Sequence, residues 1–370
     1  MKFRFLFQII SIALLLSLSS CTIGRMVVYQ FSDIKDYKKF PKRELKAAAN
    51  PFIFPKGDQD AFAKKDIRVE HGQRREFLDS LLLGSKTVAF LVIQRDSIVY
   101  ERYFQKYEEA DPVASFSMAK SYTSALVGIA LAEGHIKSVD DFLVDYVPEL
   151  KEKGLGDIRI RHLLQMTTGV HHAESYFNPF AGVARLYYGR HLRKQVLHLQ
   201  QEFEAGLYFK YKSINTQLLA EVLVRATGRT LTDYMQEKIW GPIGMEHPAS
   251  WSIDQKRNGM EKAFCCINAT ARDFAKFGRL YLQKGNWNGQ QLIPESWVEA
   301  STKVNAQDGA SNRYQYQWWI PSKLGDFSAQ GHLGQFIYVN PMKDLIIVRL
   351  GKKYGGVQWM KTFREIAAQL

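Results

Sequence analysis

Cysteine is scarce: the chain holds three in 370 residues, and two of them, Cys265 and Cys266, are adjacent. That excludes the disulfide framework of a small secreted domain. Several catalytic signatures are missing as well, since the chain has no G-x-S-x-G elbow, no G-x-x-x-x-G-K-[ST] loop and no H-E-x-x-H pair. Elbow-type esterases, P-loop nucleotide enzymes and zinc-helix proteases are thereby set aside. There is no internal repeat and no low-complexity tract. The formal net charge of +13 is spread along the chain without zinc-finger spacing, an arginine-rich arm or an aromatic nucleic-acid motif. No nucleic-acid partner is expected.

With 46% hydrophobic and 24% charged residues the composition is that of an ordinary globular protein, which excludes disorder, collagen and coiled coil. A chain of this length buries about 75% of its unfolded surface, enough for one large domain or two packed subdomains without a metal or disulfide staple. Residues 1–20 have the pattern of a signal peptide: Lys2 and Arg4 precede an apolar run from Phe5 to Leu18 that is too short for a comfortable transmembrane helix. Leu18-Ser19-Ser20-Cys21 then resembles a bacterial lipobox. It predicts an exported lipoprotein anchored to a membrane through Cys21, on the periplasmic or cell-surface face. Lysines and arginines between Lys38 and Arg68 could meet anionic headgroups or serve as a solvated tether.

Residues 21–60 are short of apolar periodicity and hold Pro41, Pro51 and Pro55, so they are expected to be tether and irregular lead-in. Residues 61–370 form the predicted domain. A helix is expected over Arg74–Leu83 and a hairpin from Thr87–Ile93 and Ile98–Phe104. Helices follow at Met118–Glu133, Thr216–Ala226 and Ala269–Leu282, each stopping before a glycine. Short strands recur at Phe327–Ala329, Gln335–Val339 and Leu345–Leu350, and Gln358–Leu370 closes as an amphipathic helix. The pattern predicts an α/β fold: one sheet from both chain ends (61–116 and 290–370) with a mainly helical part (117–289) inserted.

His171, His172 and Glu174 are the densest set of possible metal ligands, but adjacent histidines point apart on a regular backbone, so no metal is expected there. S-x-x-K occurs twice. Ser32–Lys35 lies in the expected tether, whereas Ser117-Met118-Ala119-Lys120 opens a helix. Residues three apart share a helix face, so Lys120 can reach Ser117, and the helix N-terminus favours a developing alkoxide. A lysine accepts that proton only when its ammonium form is destabilised, and lowering it from about 10.4 to about 7 requires burial.

Further segments extend the pattern: Ile160-Arg161-His162-Leu163-Leu164-Gln165-Met166-Thr167-Thr168-Gly169, Tyr211-Lys212-Ser213, Ala269 to Gly278, and Gly331-His332-Leu333-Gly334-Gln335. With Ser117 and Lys120 this ordered set resembles the serine β-lactamase and penicillin-binding-protein superfamily, in its class C-like branch of esterases, peptidases and nylon-oligomer hydrolases. The resemblance spans Thr87 to Gly351. It implies a β-lactamase-like fold in which Ser117 is the nucleophile, Tyr211 shares protons with Lys120, and Ser213 orients Lys120 or the substrate amide. It also implies an oxyanion hole from the backbone N–H groups of Ser117 and Gln335, with Gly334 letting the backbone approach the substrate.

Two departures matter. Tyr211-Lys212-Ser213 stands for Y-x-N, and His332-Leu333-Gly334 stands for K-T-G, so the grip on a β-lactam carboxylate is expected to be weakened. Cys265-Cys266 replaces residues that are often glycine, and packing near the site is expected of it. The expected activity is hydrolysis of a small ester, amide or peptide through an acyl-enzyme, without a cofactor or an obligate protein partner. Tyr176, Phe177, Tyr187, Tyr188, Trp318 and Trp319 are candidates for the substrate wall or the core. Rival expectations are a non-catalytic or weakly active lipoprotein that binds or trims peptidoglycan peptides, or a true β-lactamase.

Overall fold

The structure, a computed structural model, describes Gly24, Arg25, Tyr29 and residues 31–370 except Phe177 and Pro179. The expected signal peptide and Cys21 lie outside the described residues. Near the start, β1 (Lys42–Leu45) precedes a hairpin of β2 (Arg68–His71) and β3 (Arg74–Phe77). The main sheet has seven antiparallel strands drawn from both ends of the chain. From the first part come β4 (Thr87–Gln94) and β5 (Ser97–Tyr103), turned through Arg95 and Asp96, both at positive φ as a two-residue hairpin requires.

A second sheet takes β6 (Val113–Ala114), β7 (Ala249–Ser252) and β8 (Ile267–Ala269) together with β1, in the order β1-β7-β8-β6. After a small hairpin of β9 (Asn286–Trp287) and β10 (Gln290–Gln291), the chain returns to the main sheet. It does so as β11 (Tyr314–Gln315), β12 (Trp318–Trp319), β13 (Phe327–Gly331), β14 (Gln335–Asn340) and β15 (Leu345–Gly351). The order β11-β12-β13-β14-β15-β4-β5 joins the two termini where β15 pairs with β4, from Leu345 opposite Gln94 to Gly351 opposite Thr87.

Both faces of this sheet are covered, which is why β4 is apolar at almost every position. Phe90 and Val92 pack with Leu78, Leu82, Phe363 and Ile366 from helices Leu78–Gly84 and Trp359–Gln369. Ala89, Leu91 and Ile93 face the other core, with Phe274, Phe277 and Tyr122 from helices Ala271–Leu282 and Ala119–Ala132. Gly278 lets the first of these lie close on the sheet: a Cβ there would sit 2.9 Å from Ile337 and Ile346. Among the described residues no helix is long and apolar enough to cross a membrane.

Two expectations shift. The lead-in carries β1, whose Leu45 is wholly buried while Lys42 and Glu44 face outward, a pattern too brief to stand out in sequence. Arg74–Leu83 divides, because Arg74–Phe77 pairs with β2 and only Leu78, Leu81 and Leu82 recur at helical spacing. The inserted part, expected to be mainly helical, also supplies β7 and β8 to the second sheet.

Candidate active site

Ser117 sits in a single 3-10 turn, Phe116–Met118, that leads from β6 into helix Ala119–Ala132. The turn is held in an unusual shape. Phe116 is buried at φ +45°, a conformation that costs a side-chain-bearing residue about 1–3 kcal/mol unless its surroundings enforce it. Here they do: Ser115 donates its N–H to Ile267 O (2.7 Å), and its hydroxyl accepts from Ile267 N (3.1 Å) while donating to Phe116 O (3.1 Å). β13 presses on the same turn, for a Cβ on Gly331 would lie 2.2 Å from Ser115 O. A nucleophile on so constrained a turn keeps its direction.

Lys120 lies one helical turn on, with 1% of its surface exposed. Its Nζ is 3.0 Å from Ser117 Oγ, 3.2 Å from Ser213 Oγ and 2.9 Å from Phe264 O. Burial lowers its pKa to about 7, against the upward pull of the Glu174 carboxylate. The amine is therefore neutral in a useful fraction of molecules near neutral pH.

Tyr211 comes from the segment just before helix Ser213–Thr227. Its ring centroid lies 5.0 Å from Lys120 Nζ and is stacked against Trp319 at 5.6 Å. Burial raises its pKa, and its hydrogen bond to Ser117 pulls it partly back. Tyr211 is thus a neutral hydroxyl over the working range. Ser213 is buried between Lys120 and Glu174: its N–H donates to Glu174 Oε2 (2.9 Å) and its hydroxyl to Glu174 Oε1 (2.5 Å). The Tyr176 hydroxyl also donates to Oε1 (3.0 Å), and His172 Nδ1 lies 3.7 Å from Oε2. Burial works to raise the Glu174 carboxyl, but His172, Lys120 and the two Ser213 donors outweigh it and hold it below the ordinary glutamate value.

Sequence reasoning placed Glu174 with the histidines as a rejected metal set and missed this role. No spacing signal links residue 174 to residue 213. The Phe264 carbonyl was missed for the same reason. His171 is exposed and gives its N–H to Gln200 O, while His172 packs over Gly182. Among the described residues no group of three His, Cys, Asp or Glu side chains is placed to hold a metal ion.

The β13–β14 turn departs most from expectation. Gln335 is wholly buried, its side-chain amide donating to His332 O (2.9 Å) and Gly351 O (2.7 Å) and its oxygen accepting from Gly351 N (2.9 Å). Gly334, expected to let the backbone approach the substrate, has a packing role in this turn. Its φ is +84°, and a Cβ would meet Arg349 Nη1 at 2.2 Å, so the missing side chain makes room for a buried guanidinium that donates to Gly334 O. The backbone nearest the nucleophile turn belongs to Gly331. His332 sets its ring edge-on to Phe116 (5.6 Å) and stacks on Tyr176 (5.4 Å), and burial lowers its pKa. Leu333 follows at φ +63° against the edge of the core.

Cys265 and Cys266 are buried in the core directly after Phe264, in keeping with the packing expected of them, and are joined to each other by a disulfide that leaves no free thiol there. Trp318, Tyr187 and Tyr188 belong to the core, Trp319 and Tyr176 border the site, and Phe177 lies outside the described residues.

An antiparallel sheet built from both termini, with a serine on a strained turn and a buried lysine one helical turn away, defines a serine hydrolase of β-lactamase fold. A family model described as Beta-lactamase matches residues 82–369, and the chain belongs to that family. It is 27% identical over 299 residues to the 6-aminohexanoate-dimer hydrolase of Paenarthrobacter ureafaciens, covering 74% of each chain. A Bacillus anthracis structure provisionally named a 6-aminohexanoate-dimer hydrolase superimposes with a TM-score of 0.81 at 28% identity, covering 91% of this chain and 92% of that one. A penicillin-binding protein from Bacillus halodurans shares the fold, with a TM-score of 0.64 at 16% identity over 79% of this chain and all of that one.

Proposed function

We propose that the protein cleaves a small linear amide or ester through an acyl-enzyme on Ser117. The placement of Lys120 carries this reading, since one buried amine lies within hydrogen-bond reach of the serine and has lost most of its affinity for the proton. Neutral Lys120 takes the Ser117 proton as Oγ attacks the carbonyl. Tyr211, which faces Lys120 and whose titration feels Ser117, passes a proton to the leaving nitrogen or oxygen. Water then attacks the acyl group by the reverse proton route. The oxyanion is held by the Ser117 N–H and the strand-edge N–H of His332. What favours His332 over Gln335 is the contact of Gly331 with the nucleophile turn and the enclosure of Gln335 within the sheet.

Resemblance to 6-aminohexanoate-dimer hydrolases supports a linear amide as substrate. The strand edge agrees. Ala329 and Gln330 before Gly331, and His332 and Leu333 after it, supply neither a permanent cation nor the hydroxyl that would grip a β-lactam carboxylate. Attachment through Cys21 to the outer face of a membrane is part of the same proposal, supported by the lipobox-like sequence.

A panel of p-nitrophenyl butyrate, the linear 6-aminohexanoate dimer, a D-Ala-D-Ala peptide and nitrocefin tests it. Turnover of the first two should exceed that of nitrocefin. A nitrocefin kcat/KM matching that for the ester would refute the substrate class and restore a β-lactamase.

A further inference from the structure

We propose that Glu174 is a positioning residue that fixes which way the Ser213 proton points, and thereby leaves the free electron pair of neutral Lys120 facing Ser117. The inference rests on Lys120 being the base. A neutral lysine amine has two N–H donors and one lone pair, and Lys120 has three neighbours: Ser117 Oγ, Ser213 Oγ and Phe264 O. The Phe264 carbonyl can only accept. A serine hydroxyl can donate or accept, so geometry at Lys120 alone does not decide where the lone pair lies.

Glu174 decides it. Its two oxygens receive the N–H and the O–H of Ser213 at 2.9 and 2.5 Å, and an ionised carboxylate has no proton to return. With its single proton so committed, Ser213 can only accept from Lys120. Both N–H groups of the amine are then occupied by Ser213 and Phe264, and the lone pair is left for the proton of Ser117. The other titratable groups about Glu174 are His172 at 3.7 Å, the Tyr176 hydroxyl at 3.0 Å and Lys120 itself; Tyr211 faces Lys120, and Tyr211 and Tyr314 also feel the carboxylate.

Glu174→Gln inverts this order with little change in shape. The Ser213 N–H still requires an acceptor, so the new amide oxygen must face it, and the NH2 group must face the Ser213 hydroxyl. Ser213 then turns its proton toward Lys120 and competes with Ser117 for the lone pair. The test follows the rate at which a fluorophosphonate labels Ser117, as a function of pH, in full-length protein. The expected result is a fall of about tenfold or more in the alkaline plateau. Its midpoint should also move to lower pH, because the carboxylate that raises the Lys120 pKa is gone.

Ser213→Ala should lower the plateau as well, and adding Glu174→Gln to it should cost less than about twofold more, as for residues acting in series. An unchanged plateau in Glu174→Gln, a fall with no shift of midpoint, or an undiminished second loss in the Ser213→Ala background would each overturn the proposal. Labelling that persists in Ser117→Ala would instead overturn the acyl-enzyme reading beneath it.

Discussion

Burying an amine has a price in stability that depends on pH, and Lys120 makes it measurable. In the unfolded chain a lysine titrates near 10.4, whereas in the folded protein burial brings Lys120 to about 7. Between these values the unfolded chain holds a proton that the folded one has released, so stability rises with pH across the window. Below about pH 7 the whole penalty is present, about 4–5 kcal/mol for a shift of this size. By pH 9 about 2 kcal/mol remains, so the Lys120 contribution changes by about 2–3 kcal/mol between pH 6 and pH 9.

Lys120→Met isolates this term, because methionine does not titrate. It leaves Ser213 Oγ and Phe264 O short of a donor, at about 1–3 kcal/mol per buried group, but that loss is the same at both pH values. The assay is urea unfolding of wild type and Lys120→Met at pH 6 and pH 9. Wild type should gain about 2–3 kcal/mol on the variant as the pH rises. A difference that holds within about 0.5 kcal/mol across the range would refute the depressed pKa, and with it the view of Lys120 as a base at neutral pH.

Fluorophosphonate labelling should map to Ser117 alone, should be lost in Ser117→Ala and Lys120→Ala and should survive Ser32→Ala, because the other S-x-x-K lies in a turn before β1; a labelled peptide elsewhere would sink the assignment. Gly334→Ala should destabilise the fold by about 2 kcal/mol or more in chemical denaturation, since the new Cβ meets Arg349 at an unfavourable φ; a change under about 0.5 kcal/mol would show that Arg349 can yield. Denatured protein alkylated without reduction should carry no adduct on Cys265 or Cys266, and two after reduction, by peptide mass. Intact mass of membrane-extracted protein should show acyl addition at Cys21, absent in Cys21→Ser.

The residues legible in sequence were those whose roles are local. Ser117 and Lys120 are three apart on one helix, and helical geometry alone brings them together. The hairpin at Arg95-Asp96 and the helix beginning after Thr270, whose hydroxyl accepts from Asp273 N, were likewise written into adjacent residues. Resemblance supplied Tyr211 and Ser213, which no short-range pattern could have joined to Ser117. Glu174 escaped because its partner lies 39 residues away and its neighbours suggested a metal. The surroundings of Gln335 and Gly334 were hidden for a different reason: a glycine in a turn can serve a ligand or a packed neighbour, and nothing in the sequence shows that Arg349 packs against this one. The strand β1 was hidden by its length, four residues with one inward side chain.

On the proposed function, the charges around Ser117 bear on how a β-lactam would be received there. Lys120 and Tyr211 stand beside Ser117, and beyond Ser213 lies Glu174, with the Tyr176 hydroxyl donating to it and His172 Nδ1 3.7 Å away. Above about pH 7 Lys120 is neutral, Tyr211 keeps its proton, and burial leaves His332 uncharged at the strand edge. Glu174 remains ionised. When Lys120 is neutral, the ionised Glu174 carboxylate stands one hydroxyl away from it, across Ser213. We expect a carboxylate held beside the cleaved bond to meet repulsion from Glu174 and to lack the charge-assisted hydrogen bond a lysine would give, a loss of about 1.5–3 kcal/mol. An ester or amide with no charge beside the cleaved bond would forfeit neither. On this proposal the carboxylate that orders the protons on Ser213 and Lys120 also disfavours a carboxylate held against the cleaved bond, as in a β-lactam, whereas the terminal carboxylate of a linear 6-aminohexanoate dimer lies a pentamethylene chain away from its amide.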